Sequence, residues 1–169
     1  MLEEKIFELL FIELPALHYG DICSILGIGR KQLREHRQML SKSRSTEIDE
    51  IKRLKQLYHN KSNGTDFKFG SFKSFHDWYV EQDVGQNGRC YYCKTSYEDL
   101  KAFYSSHESK RLKRGKSLEV EKINPNGDYS KDNCVLACYY CNNAKSDIFS
   151  GKEFITIAKS IGEVIIKYK

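Results

Sequence analysis

The sequence predicts an α+β fold in two parts, a helical N-terminal part and a C-terminal part of short strands and helices. Apolar residues recur at helical spacing through about the first 40 residues, as in packed amphipathic helices. Further along, Cys-Tyr-Tyr-Cys occurs twice with 44 residues between its copies, and a short segment before the second copy alternates apolar and charged residues. We therefore predict a helical region at 1–42, a helical linker at 43–73 and a second domain at 74–169.

The N-terminal part is predicted to contain a first helix and then a helix pair around a glycine. The first helix extends to Pro15, where the proline ring ends it. After it, apolar residues flank Gly27, which can adopt the positive φ needed between two crossing helices. This arrangement resembles a helix-turn-helix, which implies that the second helix, Arg30 to Met39, lies in the major groove of DNA.

The second helix of the pair carries basic residues outside its apolar stripe: Arg30, Lys31, Arg34 and Arg37. Arginine can pair with guanine in the major groove, and all four residues could instead hold phosphates. A net charge of +5 suits an anionic partner without identifying one. The alternative is an ordinary helical hairpin whose outer face is basic.

A polar linker and then an aromatic run follow. Between 43 and 73 we expect one amphipathic helix, with Ile48, Ile51 and Leu54 on its apolar side. The aromatic run comprises Phe67, Phe69, Phe72, Phe75, Trp78 and Tyr79. Such residues can stack on bases, but they more often form core, so we expect them to build the hydrophobic wall of the second domain.

The two Cys-x-x-Cys pairs predict a metal site with four ligands: Cys90, Cys93, Cys138 and Cys141. A two-residue gap lets both sulfurs of a tight turn face one tetrahedral ion at about 2.3 Å, and zinc is the ion that such a set prefers. It would join two distant turns and replace core that a small domain lacks. A redox pair or isolated structural thiols would not explain two matched pairs. Cys23 and Cys134 are expected to be small buried hydrophobic residues.

We expect a cytoplasmic protein. The first 20 residues contain acids from the third position and a proline, which is unlike a secretory signal. No stretch approaches the roughly 18 uncharged apolar residues that span a membrane. In a reducing compartment the cysteines favour metal over disulfides.

The segment from Cys90 to Asp147 resembles the HNH endonuclease superfamily in its four-cysteine form. That family combines Cys-x-x-Cys, an Asp-His strand, a loop, an Asn, and a second Cys-x-x-Cys followed by His or Asn and often by Lys. Here a strand is expected at Leu118 to Glu121, a second strand at Cys134 to Ala137, and a helix at the second cysteine pair. The resemblance implies a ββα-metal fold with a structural zinc, and cleavage of double-stranded DNA with Mg²⁺ or Mn²⁺.

The resemblance also implies site residues. Glu121 falls where the family has its metal-binding Asp, and Asn142 falls where a helix residue completes that Mg²⁺ or Mn²⁺ site. Asn133 falls on the middle Asn, which pins the loop and orients the catalytic strand. A basic run just before the strand contains Lys113 and Arg114, which would hold phosphates or belong to a solvated loop.

Lys122 departs from the family pattern, because it stands where the general-base His is expected. Moving the pKa of a lysine from about 10.4 to near 7 would cost roughly 4 to 5 kcal/mol. We therefore expect a charged Lys122 that holds the scissile phosphate or the attacking water. The proton would go to Tyr129, to His107 or to solvent.

These observations predict a sequence-specific DNA endonuclease of the restriction or mobile-element type. Since one metal site cuts one strand, cleavage of both strands would need a homodimer or successive nicks. The alternative is a DNA-binding regulator with a degenerate, inactive HNH domain. A third possibility is a zinc-containing interaction module that neither binds nor cuts DNA.

Overall fold

The computed structural model of the protein describes residues 2–14, 16–107 and 117–169. The chain forms two compact units. The N-terminal unit comprises Met1–Thr65 and Gly70–His76, and the C-terminal unit comprises Asp66–Phe69 and Asp77–Lys169. Together they form a mixed fold of helices and one small sheet, as the sequence predicts. Within the described residues, no helix is long and apolar enough to cross a membrane.

The described part of the N-terminal unit consists of helices joined by short turns. Helix α1 (Leu2–Phe7) continues as a π-helical segment, Glu8–Ile12, before the chain reaches Pro15. Helices α2 (Tyr19–Leu26), α3 (Arg30–Ser43) and α4 (Ser45–Ser62) follow. Their apolar sides meet in one core: Ile6, Phe7, Leu9, Leu10, Ile22, Leu33, Leu40, Ile48 and Ile51.

The turn between α2 and α3 has the predicted glycine geometry. Gly27 has a φ of 65°, in the left-handed region, and its N–H donates to the carbonyl of Cys23 at the end of α2. Residues with a side chain rarely adopt this conformation, so glycine allows α2 to end and α3 to begin with only three residues between them.

Helix α4 differs from the linker expected at 43–73. Its apolar residues Ile48 and Ile51 are buried in the core of the N-terminal unit, and Leu54 is buried too. The boundary of that unit therefore lies well beyond residue 42. The apolar stripe that identifies this helix in the sequence is the reason, because such a stripe is stable when it packs on a neighbouring core.

The C-terminal unit places a two-stranded sheet among helices. Helix α5 (Phe72–Gly85) contributes its residues from Asp77 onward, and α6 (Tyr97–Ser105) follows. Strands β1 (Glu119–Lys122) and β2 (Cys134–Ala137) pair antiparallel, with Glu121 opposite Val135. Helices α7 (Tyr139–Lys145) and α8 (Gly151–Lys167) complete the unit.

Most of the aromatic run is core, but it does not belong to the second domain alone, since Phe72 and Phe75 lie in the N-terminal unit. Phe69, Phe75, Trp78 and Tyr79 are all buried, and the Tyr79 hydroxyl donates to the carbonyl of Leu118 at 3.0 Å. Phe67 and Phe72 are half-buried. The order strand, loop, strand, helix predicted for 118–145 is also observed.

Candidate metal centre and active site

The four predicted zinc ligands converge in the C-terminal unit. The sulfur atoms of Cys90, Cys93, Cys138 and Cys141 all lie within 4.8 Å of one another. The Cys93 and Cys138 sulfurs are 3.7 Å apart, close to the roughly 3.8 Å expected between ligands of a tetrahedral ion bound at about 2.3 Å. The set therefore fits one metal ion, and thiolate chemistry favours zinc.

Local backbone structure brings the sulfurs together. In the first pair, the Lys94 N–H donates to the Cys90 carbonyl at 3.0 Å, and Lys94 has a positive φ of 62°, which closes a tight turn. In the second pair, Cys138 is the N-cap of α7, and its sulfur accepts the Cys141 N–H at 3.5 Å. The Cys138 N–H donates to the Cys90 sulfur at 3.2 Å and links the two turns.

The four thiols do not all shift their pKa in the same direction. Hydrogen bonding with the Cys138 sulfur lowers the pKa of Cys93, whereas it raises the pKa of Cys141. Buried thiolates this close repel one another, so all four can ionise together only around a cation. The cluster is thus built to hold a metal ion.

A second group of polar side chains lies where β1 faces α7. Glu119 and Glu121 project from the same face of β1, because alternate residues of a strand share a face. The Asn142 amide donates to the Glu119 carboxylate, and the Lys145 ammonium donates to the Glu121 carboxylate at 2.9 Å. The structure therefore brings the predicted pair Glu121 and Asn142 to one strand–helix face, although the hydrogen-bond partner of Asn142 is Glu119.

Lys122 has different neighbours. Its ammonium lies 3.4 Å from the Asp66 carboxylate and 4.9 Å from the centre of the Tyr129 ring. The backbone explains this grouping, since the segments around Asp66 and Tyr129 pair by hydrogen bonds, Tyr129 N–H to Asp66 carbonyl at 2.8 Å and Lys68 N–H to Tyr129 carbonyl at 2.8 Å. Strand alternation directs Lys122 away from the face that carries Glu121.

His107, the other candidate proton acceptor, lies at the end of α6. Its Nδ1 is 2.7 Å from the Phe103 carbonyl oxygen, and its ring packs on the Phe103 ring with the centres 4.2 Å apart. These contacts are with its own helix, so the structure gives His107 no role beside Lys122.

Asn133 holds the loop between the strands. Its amide donates to the carbonyls of Asn124 at 3.0 Å and Asp128 at 2.9 Å, and its side-chain oxygen accepts the Asn124 N–H at 2.9 Å. A Cβ on Gly127 would come within 2.7 Å of the Asn133 amide nitrogen, so only glycine fits there. The loop that follows β1 is thereby fixed by one side chain.

The predicted DNA-binding residues fall into two sets. Arg30, Lys31, Arg34 and Arg37 are all exposed on α3. Arg30 and Arg34 line a concavity of about 400 Å³ with residues 18–20, and Arg37 donates to the Tyr19 hydroxyl at 2.5 Å. Lys113 and Arg114 lie outside the described residues.

Comparisons with known proteins agree with this geometry. A family model described as HNH endonuclease matches residues 112–147. Part of the C-terminal unit is therefore similar to an HNH endonuclease domain. Among solved structures, the rare-cutting HNH restriction endonuclease PacI is similar to the chain, with 26% sequence identity and a TM-score of 0.51 over 66% of this chain and 78% of that chain. No curated protein sequence matches the chain.

The HNH-like region also contains residues that the sequence analysis missed. Glu119 shares a face with Glu121, which strand alternation could have indicated. Lys145 is the lysine that often follows the second cysteine pair in the family, but nothing in the sequence shows that it contacts Glu121. Asp66 lies 56 residues before Lys122, and no local pattern connects the two.

Proposed function

We propose that the protein is a metal-dependent DNA endonuclease that cuts double-stranded DNA at chosen sequences, as a restriction enzyme does. The observation that carries the proposal is the strand–helix face of the HNH domain, where Glu119, Glu121 and Asn142 meet beside the four-cysteine cluster. The similarity to an HNH restriction endonuclease supports a nuclease and DNA as its partner.

The oxygen atoms of this face suit a hard divalent cation. Carboxylate and amide oxygens are the ligands that Mg²⁺ and Mn²⁺ prefer, and Glu121, Asn142 and the newly found Glu119 supply them. When bound, such an ion would absorb negative charge on the phosphate and on the departing 3′ oxygen. The cysteine cluster, with its sulfur ligands, would hold zinc and keep α7 in place.

Lys122 would hold a DNA phosphate or the attacking water from the end of β1, on the other side of the strand from Glu121. The Asp66 carboxylate and the Tyr129 ring both contact its ammonium, the first as an ion pair and the second through a cation–π contact. With Lys122 in this role it is not the base, and the attacking water would lose its proton to solvent.

The basic face of α3 would supply DNA affinity and sequence choice. Its four exposed basic side chains can bind phosphates or guanine edges, and arginine does both. Tyr19 orients Arg37, which reduces the side-chain entropy that binding would cost.

One cleavage assay tests the proposal. Purified protein is incubated with plasmid and phage DNA in Mg²⁺ or in Mn²⁺, alongside Glu121→Ala, Lys122→Ala and the control Lys159→Ala on the exposed side of α8. We expect discrete fragments from the wild type and the control, none from Glu121→Ala, and a rate lower by roughly 10²–10³ for Lys122→Ala. Full activity in Lys122→Ala would remove that residue from the site.

The same assay separates the alternatives. DNA binding without cleavage in either ion would indicate a regulator with an inactive HNH domain. Neither binding nor cleavage would indicate an interaction module. If a monomer is the active form, nicked plasmid accumulates before linear plasmid, whereas a homodimer yields linear plasmid directly.

A further inference from the structure

Lys145 is a fully buried lysine at the end of α7. Its side chain has 0% exposure, and its ammonium donates to Oε1 of Glu121 at 2.9 Å. Glu121 is itself buried, with a side-chain exposure of 10%. The two charges form an ion pair inside the HNH domain, between the strand and the helix that carry the candidate cation ligands.

This ion pair is a poor device for stability alone. Removing two charges from water is costly, and apolar residues of similar size often hold two elements together equally well. A buried ion pair instead fixes geometry, because the ammonium sets the orientation of the carboxylate it contacts. A carboxylate has about four lone-pair sites, so contact with an ammonium is compatible with binding a cation.

The position of Lys145 on α7 matters as much as its charge. It lies three residues after Asn142, and residues three apart share a helix face. The N-cap and the first turn of the same helix carry two of the four clustered cysteines, Cys138 and Cys141. Helix α7 is therefore anchored at its start by the sulfur cluster and at its end by Glu121.

We propose that Lys145 is the positioning residue of the cation site. Its buried ammonium holds the Glu121 carboxylate in place, so that Glu121 and Asn142 are arranged around one space before a divalent ion arrives. The inference rests on the proposed function, since it assigns Lys145 a part in the same site. It gives Lys145 no contact with DNA or with the reacting atoms.

A measurement on the zinc-loaded wild-type protein tests the proposal without cleavage. The side-chain ammonium of Lys145, assigned through its backbone by NMR of ¹⁵N,¹³C-lysine protein, is followed while Mn²⁺ is added. We expect a hydrogen-bonded ammonium signal that substoichiometric Mn²⁺ broadens, because the ion binds beside Glu121. Lys159, exposed on α8, is the internal control and stays sharp. A Lys145 signal that Mn²⁺ leaves unchanged would overturn the proposal.

A double-mutant cycle then separates positioning from mere stability. Lys145→Met and Glu121→Gln are each expected to lower kcat by roughly 100-fold with little change in KM for DNA. The double variant should cut no more slowly than Glu121→Gln alone, because Lys145 acts through Glu121. If the two losses multiply instead, Lys145 does not act through Glu121.

The control for folding is Ile165→Ala, which opens a cavity at a buried position of α8. Zinc content and melting temperature are measured for every variant. An Ile165→Ala protein that is as destabilised as Lys145→Met, yet keeps its kcat, supports positioning; an equal fall in kcat contradicts it.

A wild type that cuts no DNA would refute the proposed function, and the Mn²⁺ titration would still report on Lys145.

Discussion

The N-terminal and C-terminal units of this protein are stabilised by different interactions. The N-terminal unit buries aliphatic and aromatic side chains from α1, the π-helical segment, α2, α3 and α4 in one core. The C-terminal unit adds to its apolar core a cluster of four cysteines and a buried ion pair. Helices with apolar stripes can be held by packing alone, whereas a two-stranded sheet of four-residue strands needs further support. The cysteine cluster supplies that support where two distant turns meet.

The largest effect that separates the units should come from the cysteines. Cys138→Ser, or a strong chelator, removes the metal site, and structural zinc contributes an apparent 10–16 kcal/mol in small zinc domains, about as much as the whole stability of a domain. We expect the C-terminal unit to unfold while the N-terminal unit keeps its protection, as measured by hydrogen exchange and mass spectrometry of segments.

Cys134→Ala is the matched control for that experiment. Cys134 is buried in the same unit but is not part of the cluster, so this variant should keep its metal content. Equal loss of protection in both units on chelation would show that the difference between them is not due to the metal site. A melting curve indifferent to chelation would count against the four-thiolate site itself.

The next largest effect should come from a core substitution that destabilises the N-terminal unit and leaves the metal site intact. Leu33 is fully buried on α3, and Leu33→Ala should lower the free energy of unfolding by about 2–5 kcal/mol through a lost contact surface and a cavity. Zinc content should not change. Met39→Ala, at a position with 45% exposure on the same helix, should change stability little. A fall in zinc content in Leu33→Ala would mean that the two units do not unfold separately.

The sequence was most informative about features that depend only on neighbouring residues or on a repeated motif. The left-handed turn at Gly27, the two strands and the four cysteines follow from turn chemistry, alternation and a two-residue spacing, and the structure has all of them. Each of these patterns needs only neighbouring residues or one repeated motif. The family resemblance then located the HNH-like region.

The rest depends on how one element meets another. Alternation puts Glu119 and Glu121 on one face of β1, but the register of α7 against that face decides that Asn142 contacts Glu119 and Lys145 contacts Glu121. Likewise, an apolar stripe in α4 predicts burial but not the partner, so a helix expected to be a linker proved to be part of a core. Contacts of this kind arise from tertiary packing and leave no signal in a single sequence.

The smallest predicted losses of stability come from replacing one glycine in each unit. Gly162 lies within α8, and a Cβ there would come within 2.6 Å of the Cys93 carbonyl oxygen, so Gly162→Ala should push α8 off the cysteine turn and cost about 1–3 kcal/mol. Gly27 has open space but a φ of 65°, so Gly27→Ala should cost about 1–2 kcal/mol through the backbone alone.

Asparagine distinguishes the two causes. It tolerates left-handed backbone conformations, so Gly27→Asn should recover much of the stability lost in Gly27→Ala, as measured by thermal melting. Gly162→Asn should be worse than Gly162→Ala, because a larger side chain increases the clash with Cys93. The opposite result, in which asparagine restores stability at position 162 and not at position 27, would contradict this assignment. It would mean that steric clash destabilises the variants of Gly27 and that backbone conformation destabilises the variants of Gly162. The close approach of α8 to the cysteine turn would then not be the reason why Gly162 is needed.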